Sequence, residues 1–225
     1  MDINLIENLN FKHVIDRGTG RIIVHTEKEL IVFDERSKTL MIACDDAHEG
    51  LEELDKIDMS DIFLVLTSNL KLGNLIYDKY KFTGKMNCYQ VAYLQKGVPL
   101  LDGELSFREA TLDDFSFIIS EYNHISEEDI KKAIERKNII IGYKDGKAVG
   151  FIGEHQEGSM GMLQVLSDYR RCGYGQELEK EMIRRTISKG FIPFAQIVED
   201  NTASICLQKK LGLSKSDNLI MWMWK

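Results

Sequence analysis

One segment of the sequence has the residue types and spacing that suit an anion. Residues 160–175 read M-G-M-L-Q-V-L-S-D-Y-R-R-C-G-Y-G, which predicts an apolar strand, a polar elbow, a glycine-bracketed turn and a helix. A helix that begins at Gly173 directs unpaired N–H groups and the positive end of its dipole at the elbow, which favours a phosphate group. Arg170 and Arg171 add cationic donors beside it. Because Gly173 and Gly175 lack Cβ atoms, the backbone can approach a bulky pyrophosphate.

Spacing argues against two common nucleotide-binding patterns. The turn lacks the third glycine of the dinucleotide fingerprint, and no acidic residue closes a βαβ unit about 20 residues later. The nearest P-loop candidate, residues 142–147, has one residue too few between its glycines and continues with Ala148. We interpret Asp145-Gly146 as a hairpin turn instead. The pattern that remains is R-x-x-G-x-G over residues 170–175.

This pattern resembles the loop with which the GNAT superfamily of acyl-CoA-dependent N-acyltransferases holds the coenzyme A pyrophosphate. A second family signature, N-x-x-[AS]-x-x-L-Y-x-K-x-G-F, is similar to residues 201–213, which read N-T-A-S-I-C-L-Q-K-K-L-G-L. Residues 158–173 resemble the glycine N-acyltransferase branch in particular, and the whole resemblance covers residues 105–225. It implies the GNAT fold, an α/β (α+β) architecture in which helices flank a mixed, mostly antiparallel sheet. It also implies acetyl-CoA, or another acyl-CoA, as co-substrate and no metal.

The resemblance also implies which residues contact the coenzyme. Backbone N–H groups of residues 163–165, where neighbouring strands splay apart, would stabilise the oxyanion that develops on the thioester carbonyl. The full set implied to bind the coenzyme is Leu163, Gln164, Val165, Arg170, Arg171, Cys172, Gly173, Tyr174, Gly175, Gln176, Asn201 and Ser204.

The proton transfers of such a reaction are harder to assign. An amine must be neutral to attack, and a lysine-like amine has an ordinary pKa of about 10.4, so some base or water chain must accept its proton. Two positions depart from the family pattern: Gln208 replaces a tyrosine that often protonates the thiolate, and Ser159 stands where several relatives carry a catalytic glutamate. The nearby candidates are Glu154, His155 and Glu157, with Glu154 first because a strand should fix its direction. All three also suit ordinary surface positions beside a hairpin.

Composition narrows the class of protein. At 225 residues the chain could form one large or two small domains. A formal net charge of −7 argues against nucleic acid as a partner and is compatible with a cationic amine. The four cysteines show no C-x-x-C pairing, so we expect reduced thiols rather than a zinc site or disulfides. No apolar run approaches the roughly 18 residues of a membrane helix, and no basic leader is evident, so we expect a cytoplasmic protein without a membrane partner.

The elements that would position the site follow the GNAT order in the second half. The sequence predicts a short strand at 105–108, helices at 111–122 and 126–136 and a hairpin over 138–154. It then predicts a strand at 159–166, a helix that ends at Gly190, a strand at 191–198, a helix capped by Asn201 and a closing strand at 218–224.

The first half of the sequence repeats the end of the second. A predicted strand, helix and strand at 61–67, 69–80 and 89–94 mirror the closing elements at a near-constant offset. The segment after Cys44, D-D-A-H-E-G-L-E-E-L, lacks R-x-x-G-x-G and would place carboxylates where a pyrophosphate must lie. We therefore predict two domains, a degenerate GNAT-like domain over residues 1–100 and a catalytic acyl-CoA-binding domain over 104–225. An unrelated α/β domain would suit the same boundary.

Together these features predict an N-acyltransferase that moves an acyl group, acetyl by default, from acyl-CoA to a primary amine. The expected mechanism is direct attack in a ternary complex, and the acceptor would be a small-molecule amine, an amino acid or a peptide amine. A non-catalytic acyl-CoA-binding sensor is the alternative, because neither Gln208 nor Ser159 can supply the family's usual chemistry. No motif indicates the oligomeric state.

Overall fold

The computed structural model describes all 225 residues, which form seven α-helices and eleven strands. In chain order the elements are α1 (Leu9–Asp16), β1 (Gly20–His25), β2 (Glu29–Asp34), β3 (Thr39–Cys44), α2 (Ala47–Leu54), β4 (Leu64–Thr67), α3 (Leu70–Lys79), β5 (Gly84–Ala92), β6 (Ser106–Glu109), α4 (Phe115–Glu121), α5 (Glu127–Glu135), β7 (Ile139–Lys144), β8 (Lys147–Glu154), β9 (Met160–Val165), α6 (Tyr174–Ser188), β10 (Phe194–Val198), α7 (Thr202–Lys210) and β11 (Ser214–Trp224). Every helix is too short or too polar to span a lipid bilayer.

The chain divides into two compact units that are not continuous in sequence. Unit 1 consists of Met1–Ala92, Gln196–Gln208 and Leu213–Lys225, whereas unit 2 consists of Tyr93–Ala195 and Lys209–Gly212. The C-terminal strand β11 therefore belongs to the same unit as the first half of the chain. The domain boundary expected from the sequence falls inside unit 2, and the duplication behind it stays a prediction.

Unit 1 is built on a mostly antiparallel sheet in the order β1-β2-β3-β4-β11-β5, in which only β3 and β4 are parallel. Strand β11 pairs with β4 on one side and with β5 on the other. Successive residues of β2 and β3 face opposite sides of the sheet. Ile31 packs in a core with α2 and α3, whereas Leu30 and Val32 pack in a core with Phe11 and Val14 of α1. Helices thus cover both faces.

Unit 2 carries the elements that the sequence places around the anion site. Strands β6, β7, β8 and β9 form antiparallel pairs in that order, and β10 joins β9 in parallel at the Ala195–Met160 pair. Helices α4 and α5 supply Ile118, Ile130 and Ile134 to a core that also holds Phe151 of β8. Helix α6 covers the opposite face.

Several elements agree closely with their predictions. Strand β9 and helix α5 lie within one residue of their predicted bounds, and Leu178, Met182 and Ile183 form the buried side of α6. The helix predicted from residue 111 begins instead with a short 3-10 turn at Leu112–Asp114, where the Asp114 carboxylate accepts the N–H of Thr111 at 2.8 Å. Elements α1, β1 and α2 were not predicted. The predicted fold class, a mixed and mostly antiparallel sheet flanked by helices, is confirmed.

Candidate anion-binding site

The turn between β9 and α6 is shaped by two left-handed residues. After β9 the chain passes through a 3-10 turn at Ser167–Tyr169 and becomes extended at Arg170. Arg171 then has φ +65° and Gly173 has φ +85°, so the backbone reverses around the exposed Cys172. Residues other than glycine adopt such angles at an energetic cost, which explains why glycine stands at the N-cap of α6.

The N-terminus of α6 is left open by its cap. Gly173 has no side chain to bond the first turn, and the first helical bonds run from the N–H groups of Gln176 and Glu177 to the Gly173 carbonyl at 3.0 and 3.3 Å. The N–H groups of Gly173, Tyr174 and Gly175 donate to no protein acceptor. Three adjacent donors at the positive end of a 15-residue helix have the arrangement that suits an anion.

Two arginines lie next to these donors. The Arg170 Nε donates to the carbonyl oxygen of Val165 at 3.1 Å, which ties its guanidinium to the end of β9. Arg170 and Arg171 are both exposed. A Cβ added at Gly175 would lie 3.5 Å from a methyl carbon of Val165, an ordinary contact, so the fold itself does not require glycine there.

One edge of β9 is unpaired next to this turn. Strand β10 bonds β9 near its beginning, at Met160, and no further pair follows along that edge. The N–H of Leu166 donates toward β8, to the Val149 carbonyl at 2.9 Å. Because the backbone groups of successive strand residues point to alternate edges, the N–H and carbonyl of Val165 point away from β8. Arg170 accordingly meets the Val165 carbonyl on the open edge.

A β-bulge interrupts β9 before this edge. Phe151 of β8 lies opposite Gln164, whereas Gly153 lies opposite Gly161, so two residues of β9 occupy the space of one. Met162 takes φ +51° to accommodate the extra residue. Bulges re-aim the backbone groups that follow them and occur often beside active sites. The sequence carries no signal for this one, since methionine is not a residue that favours positive φ.

The structure brings the predicted contact residues of unit 2 together. Residues 163–165 line the open edge of β9, and residues 170–176 form the turn and the first turn of α6. Asn201 and Ser204 belong to unit 1 instead. There the Asn201 side chain accepts the N–H of Ser204 at 3.1 Å, which makes Asn201 the cap of α7, as predicted.

The carboxylate that the sequence places first among the candidate bases faces helix α6. Glu154 is 8% exposed, and its carboxylate accepts hydrogen bonds from Thr186 at 3.2 Å and from Lys189 at 3.2 and 3.3 Å. Both partners lie toward the C-terminal end of α6, the opposite end from the open N–H groups. This ion pair gives Glu154 a role in holding α6 on the sheet.

The other two candidates have different surroundings. The imidazole of His155 lies against the backbone of Gly161, where an added Cβ would come within 2.3 Å of its Nε2 atom. Glu157 is buried, and its carboxylate accepts the hydroxyl hydrogen bond of the buried Ser159. Sequence reasoning missed both pairings, because neither a histidine–glycine contact nor a serine–glutamate contact has a recognisable spacing. The identity of the base stays a prediction.

The structure assembles no group of side chains for metal binding or for thiol chemistry. No group of three or more His, Cys, Asp or Glu residues is arranged to hold a metal ion. All four cysteines are free thiols, and burial raises the pKa of Cys44 to about 11 and that of Cys88 to about 12. Such thiols are protonated at neutral pH and contribute to packing only.

Known proteins with this architecture include several acetyltransferases. A GCN5-related N-acetyltransferase from Kribbella flavida is similar with a TM-score of 0.58, 12% sequence identity and coverage of 98% of this chain and 94% of that chain. A GCN5-related N-acetyltransferase-like protein from Streptococcus suis has a TM-score of 0.54, 14% identity and coverage of 95% and 93%, respectively. This chain has the GNAT fold.

Two further similarities agree with that assignment. A protein from Drosophila melanogaster matches this chain with a TM-score of 0.72, 18% identity and coverage of 99% of this chain and 91% of that chain. Residues 140–222 match the family model of FR47-like proteins, and this segment contains both sequence signatures. The narrower likeness to the glycine N-acyltransferase branch stays a prediction.

Proposed function

We propose that this protein transfers an acyl group, acetyl by default, from acyl-CoA to a primary amine. The observation that carries the proposal is the set of unpaired N–H groups on Gly173, Tyr174 and Gly175 at the open N-terminus of α6. A pyrophosphate can accept from all three, and Arg170 and Arg171 lie beside them to neutralise its charge.

The open edge of β9 suits the remainder of the coenzyme. An extended pantetheine chain carries amide groups that can hydrogen-bond to an unpaired strand edge, as an added strand does. Within residues 163–165, the N–H of Val165 lies on the open side and is directed at the thioester carbonyl. Donors fixed before the reaction stabilise the developing oxyanion without reorganisation, which is an effective form of catalysis.

The transfer itself needs no metal in this proposal. The neutral amine attacks the thioester carbonyl, a C–N bond forms and the C–S bond breaks. The leaving thiolate takes up the proton that the attacking nitrogen loses as it becomes an amide. Holding amine and thioester together in a ternary complex supplies much of the rate increase, since well-oriented reactants gain effective concentrations of about 10⁵ M or more.

The acceptor belongs to the class of amines. The chain's net charge of −7 favours a cationic molecule and disfavours nucleic acid, so a small-molecule amine, an amino acid or a peptide amine is proposed. The glycine N-acyltransferase resemblance makes amino acids the first group to test.

A second candidate function is an acyl-CoA sensor without turnover. Its supporting observation is Gln208, which is 6% exposed on α7 and stands where the resemblance expects a proton-donating tyrosine. An amide cannot act as an acid, and a sensor would not need one. Binding of acyl-CoA would then regulate a partner instead of starting a reaction.

Two measurements separate these functions. Calorimetry with acetyl-CoA should show saturable binding that the double variant Arg170→Ala/Arg171→Ala loses and that the control variant Arg21→Ala, altered at an exposed arginine of unit 1, retains. Release of free thiol from acetyl-CoA should then depend on an added amine, tested over amino acids, polyamines, aminoglycosides and peptides. Binding without amine-dependent release would favour the sensor, and absence of binding would contradict both functions.

A further inference from the structure

We propose that His155 accepts the proton of the acceptor amine and that Gly161 is the residue that positions its imidazole. The inference deepens the proposed acyl transfer and rests on it. It selects one group among the ionisable side chains at this end of β8 and β9, and it adds a positioning residue that no sequence pattern indicated.

The candidate bases Glu154 and His155 project to opposite faces of the β8–β9 pair. Met160 lies opposite Glu154, and directly opposed residues of antiparallel strands project to the same side. Glu154 projects toward Thr186 and Lys189 of α6. His155 follows Glu154 and therefore projects to the other face. Gly161, against which the imidazole lies, follows Met160 and shares that face.

The contact between His155 and Gly161 is so close that a side chain at position 161 would displace the imidazole from this place. A Cβ there would lie 2.3 Å from Nε2 and 2.7 Å from Cδ2 of the imidazole. The ring therefore lies across the bare backbone of β9. Glycine weakens a strand, and its presence inside one often marks a close approach by another group. Here the approaching group is the imidazole, so Gly161 fixes where the ring can lie.

This location is next to the bulge and the open edge. Gly161 directly precedes Met162, the residue with φ +51°. Leu163, the first of the residues proposed to hold the thioester carbonyl, lies two positions beyond Gly161, about 7 Å along a strand. An acceptor amine held between the imidazole and that carbonyl can reach both groups, directly or through one ordered water.

The imidazole is available for proton transfer. His155 is half-buried, and neither ring nitrogen forms a hydrogen bond or ion pair with another residue. The neighbouring Glu157 and Ser159 are bonded to each other. Imidazole is the side chain used most often for general acid–base catalysis.

Other charged groups surround the proposed base. Glu157 lies on the same turn. Asp129 of α5 and Arg136, which follows α5, both bond the side chain of Gln156 next to His155. Glu154 and its Lys189 partner occupy the opposite face.

The proton balance of the step is complete. A ring nitrogen of His155 takes one proton from the acceptor ammonium, which leaves a neutral amine and an imidazolium. The amine then attacks the thioester carbonyl, forming the C–N bond, and the C–S bond breaks with its electron pair on sulfur. The proton lost by the nitrogen as the amide forms passes to the thiolate. The imidazolium returns its proton to water, so no oxidant, reductant or further reactant is needed.

The pH dependence of turnover in His155→Gln tests the assignment. We expect kcat/KM to fall about 10²-fold or more near neutral pH, and the defect to shrink above the pKa of the acceptor amine, where no base is required. The affinity for acetyl-CoA and the melting temperature should stay close to those of the wild type. His25→Gln is the matched control, because it makes the same substitution at an exposed histidine of unit 1 and should keep the wild-type pH profile.

Gly161→Ala tests positioning separately, since it keeps the imidazole but displaces it. We expect a lower kcat with unchanged acetyl-CoA affinity, and addition of His155→Gln to this variant should cause little further loss. A wild-type pH profile in His155→Gln, or additive losses in the double variant, would overturn the inference. A wild-type chain that binds acetyl-CoA without any turnover would overturn it as well, whereas a failure to bind acetyl-CoA would instead refute the proposed function.

Discussion

Helices α2 and α6 each connect two parallel strands, but their N-termini are occupied differently. In unit 1, β3 leads through α2 to its parallel neighbour β4, and in unit 2, β9 leads through α6 to its parallel neighbour β10. Asp46 caps α2, and its carboxylate accepts the N–H groups of His48 at 2.8 Å and Glu49 at 3.0 Å. Gly173 caps α6 with no side chain, so the equivalent donors stay open.

An anion site requires first-turn N–H groups that the helix does not bond itself. Both helices offer N–H groups and a positive dipole, but α2 satisfies its own donors with a carboxylate, whose pKa these backbone bonds hold below its usual value. A pyrophosphate at α2 would meet Asp45 and Asp46 as like charges. Helix α6 has no side-chain cap and is stabilised instead by the packing of its buried residues, such as Leu178 and Ile183. The first-turn N–H groups are therefore bonded by a side chain at α2 and available to a ligand at α6.

The largest effect is expected when α6 is given the charge of α2. Gly173→Asp places a carboxylate beside the proposed pyrophosphate, where repulsion between unit charges about 4 Å apart amounts to ~1–4 kcal/mol. Acetyl-CoA affinity measured by calorimetry should fall about tenfold or more. Gly173→Asn is the matched control, because asparagine and aspartate both tolerate positive φ and differ only in charge. Equal affinity in the two variants would show that charge at this position is irrelevant.

A smaller effect is expected from a single methyl group at Gly175. Gly175→Ala adds a Cβ that makes only an ordinary 3.5 Å contact with Val165, so the melting temperature should stay the same or rise slightly. If the pyrophosphate approaches the backbone here, affinity for acetyl-CoA should still fall several-fold. Unchanged affinity would place the ligand farther from the first turn of α6 than proposed.

The smallest effect on the ligand is expected when α2 loses its charge. Asp46→Asn keeps a cap but removes the carboxylate, and calorimetry should still show one acetyl-CoA per chain, because α2 has no arginines where α6 has Arg170 and Arg171. The melting temperature should fall slightly. Since the pKa of Asp46 is lower in the folded state, its charge stabilises the fold above the ordinary carboxyl pKa of about 3.9 and ceases to do so as pH falls through the folded value. A second acetyl-CoA bound in this variant would contradict the comparison.

Local features of the fold could be predicted from the sequence. The predicted cap residue Asn201 accepts the N–H of Ser204 at 3.1 Å, because capping depends on a few adjacent residues. Helix α2 was missed because it is short and acidic and includes Gly50, which lies against Cys44. The insertion of β11 between β4 and β5 depends on contacts distant in sequence, which no local pattern encodes.

In the candidate site, too, local features could be predicted from the sequence, whereas features that depend on distant contacts could not. The open cap at Gly173 and the adjacent arginines follow from a short motif with a local physical basis. The direction of Glu154 toward Lys189 does not, because it depends on which face of β8 is covered by α6. The bulge at Met162 and the contact of His155 with Gly161 likewise arise from the pairing of β8 with β9.

Hydrogen–deuterium exchange of the intact chain, with and without saturating acetyl-CoA, tests the central claim most directly. It reports on the first turns of both helices in a single experiment, through the amides of residues 173–178 and 46–51. The structure predicts that acetyl-CoA slows exchange in the first turn of α6 and leaves that of α2 unchanged. Protection at α2 without protection at α6 would contradict the account, as would bound acetyl-CoA that protects neither helix.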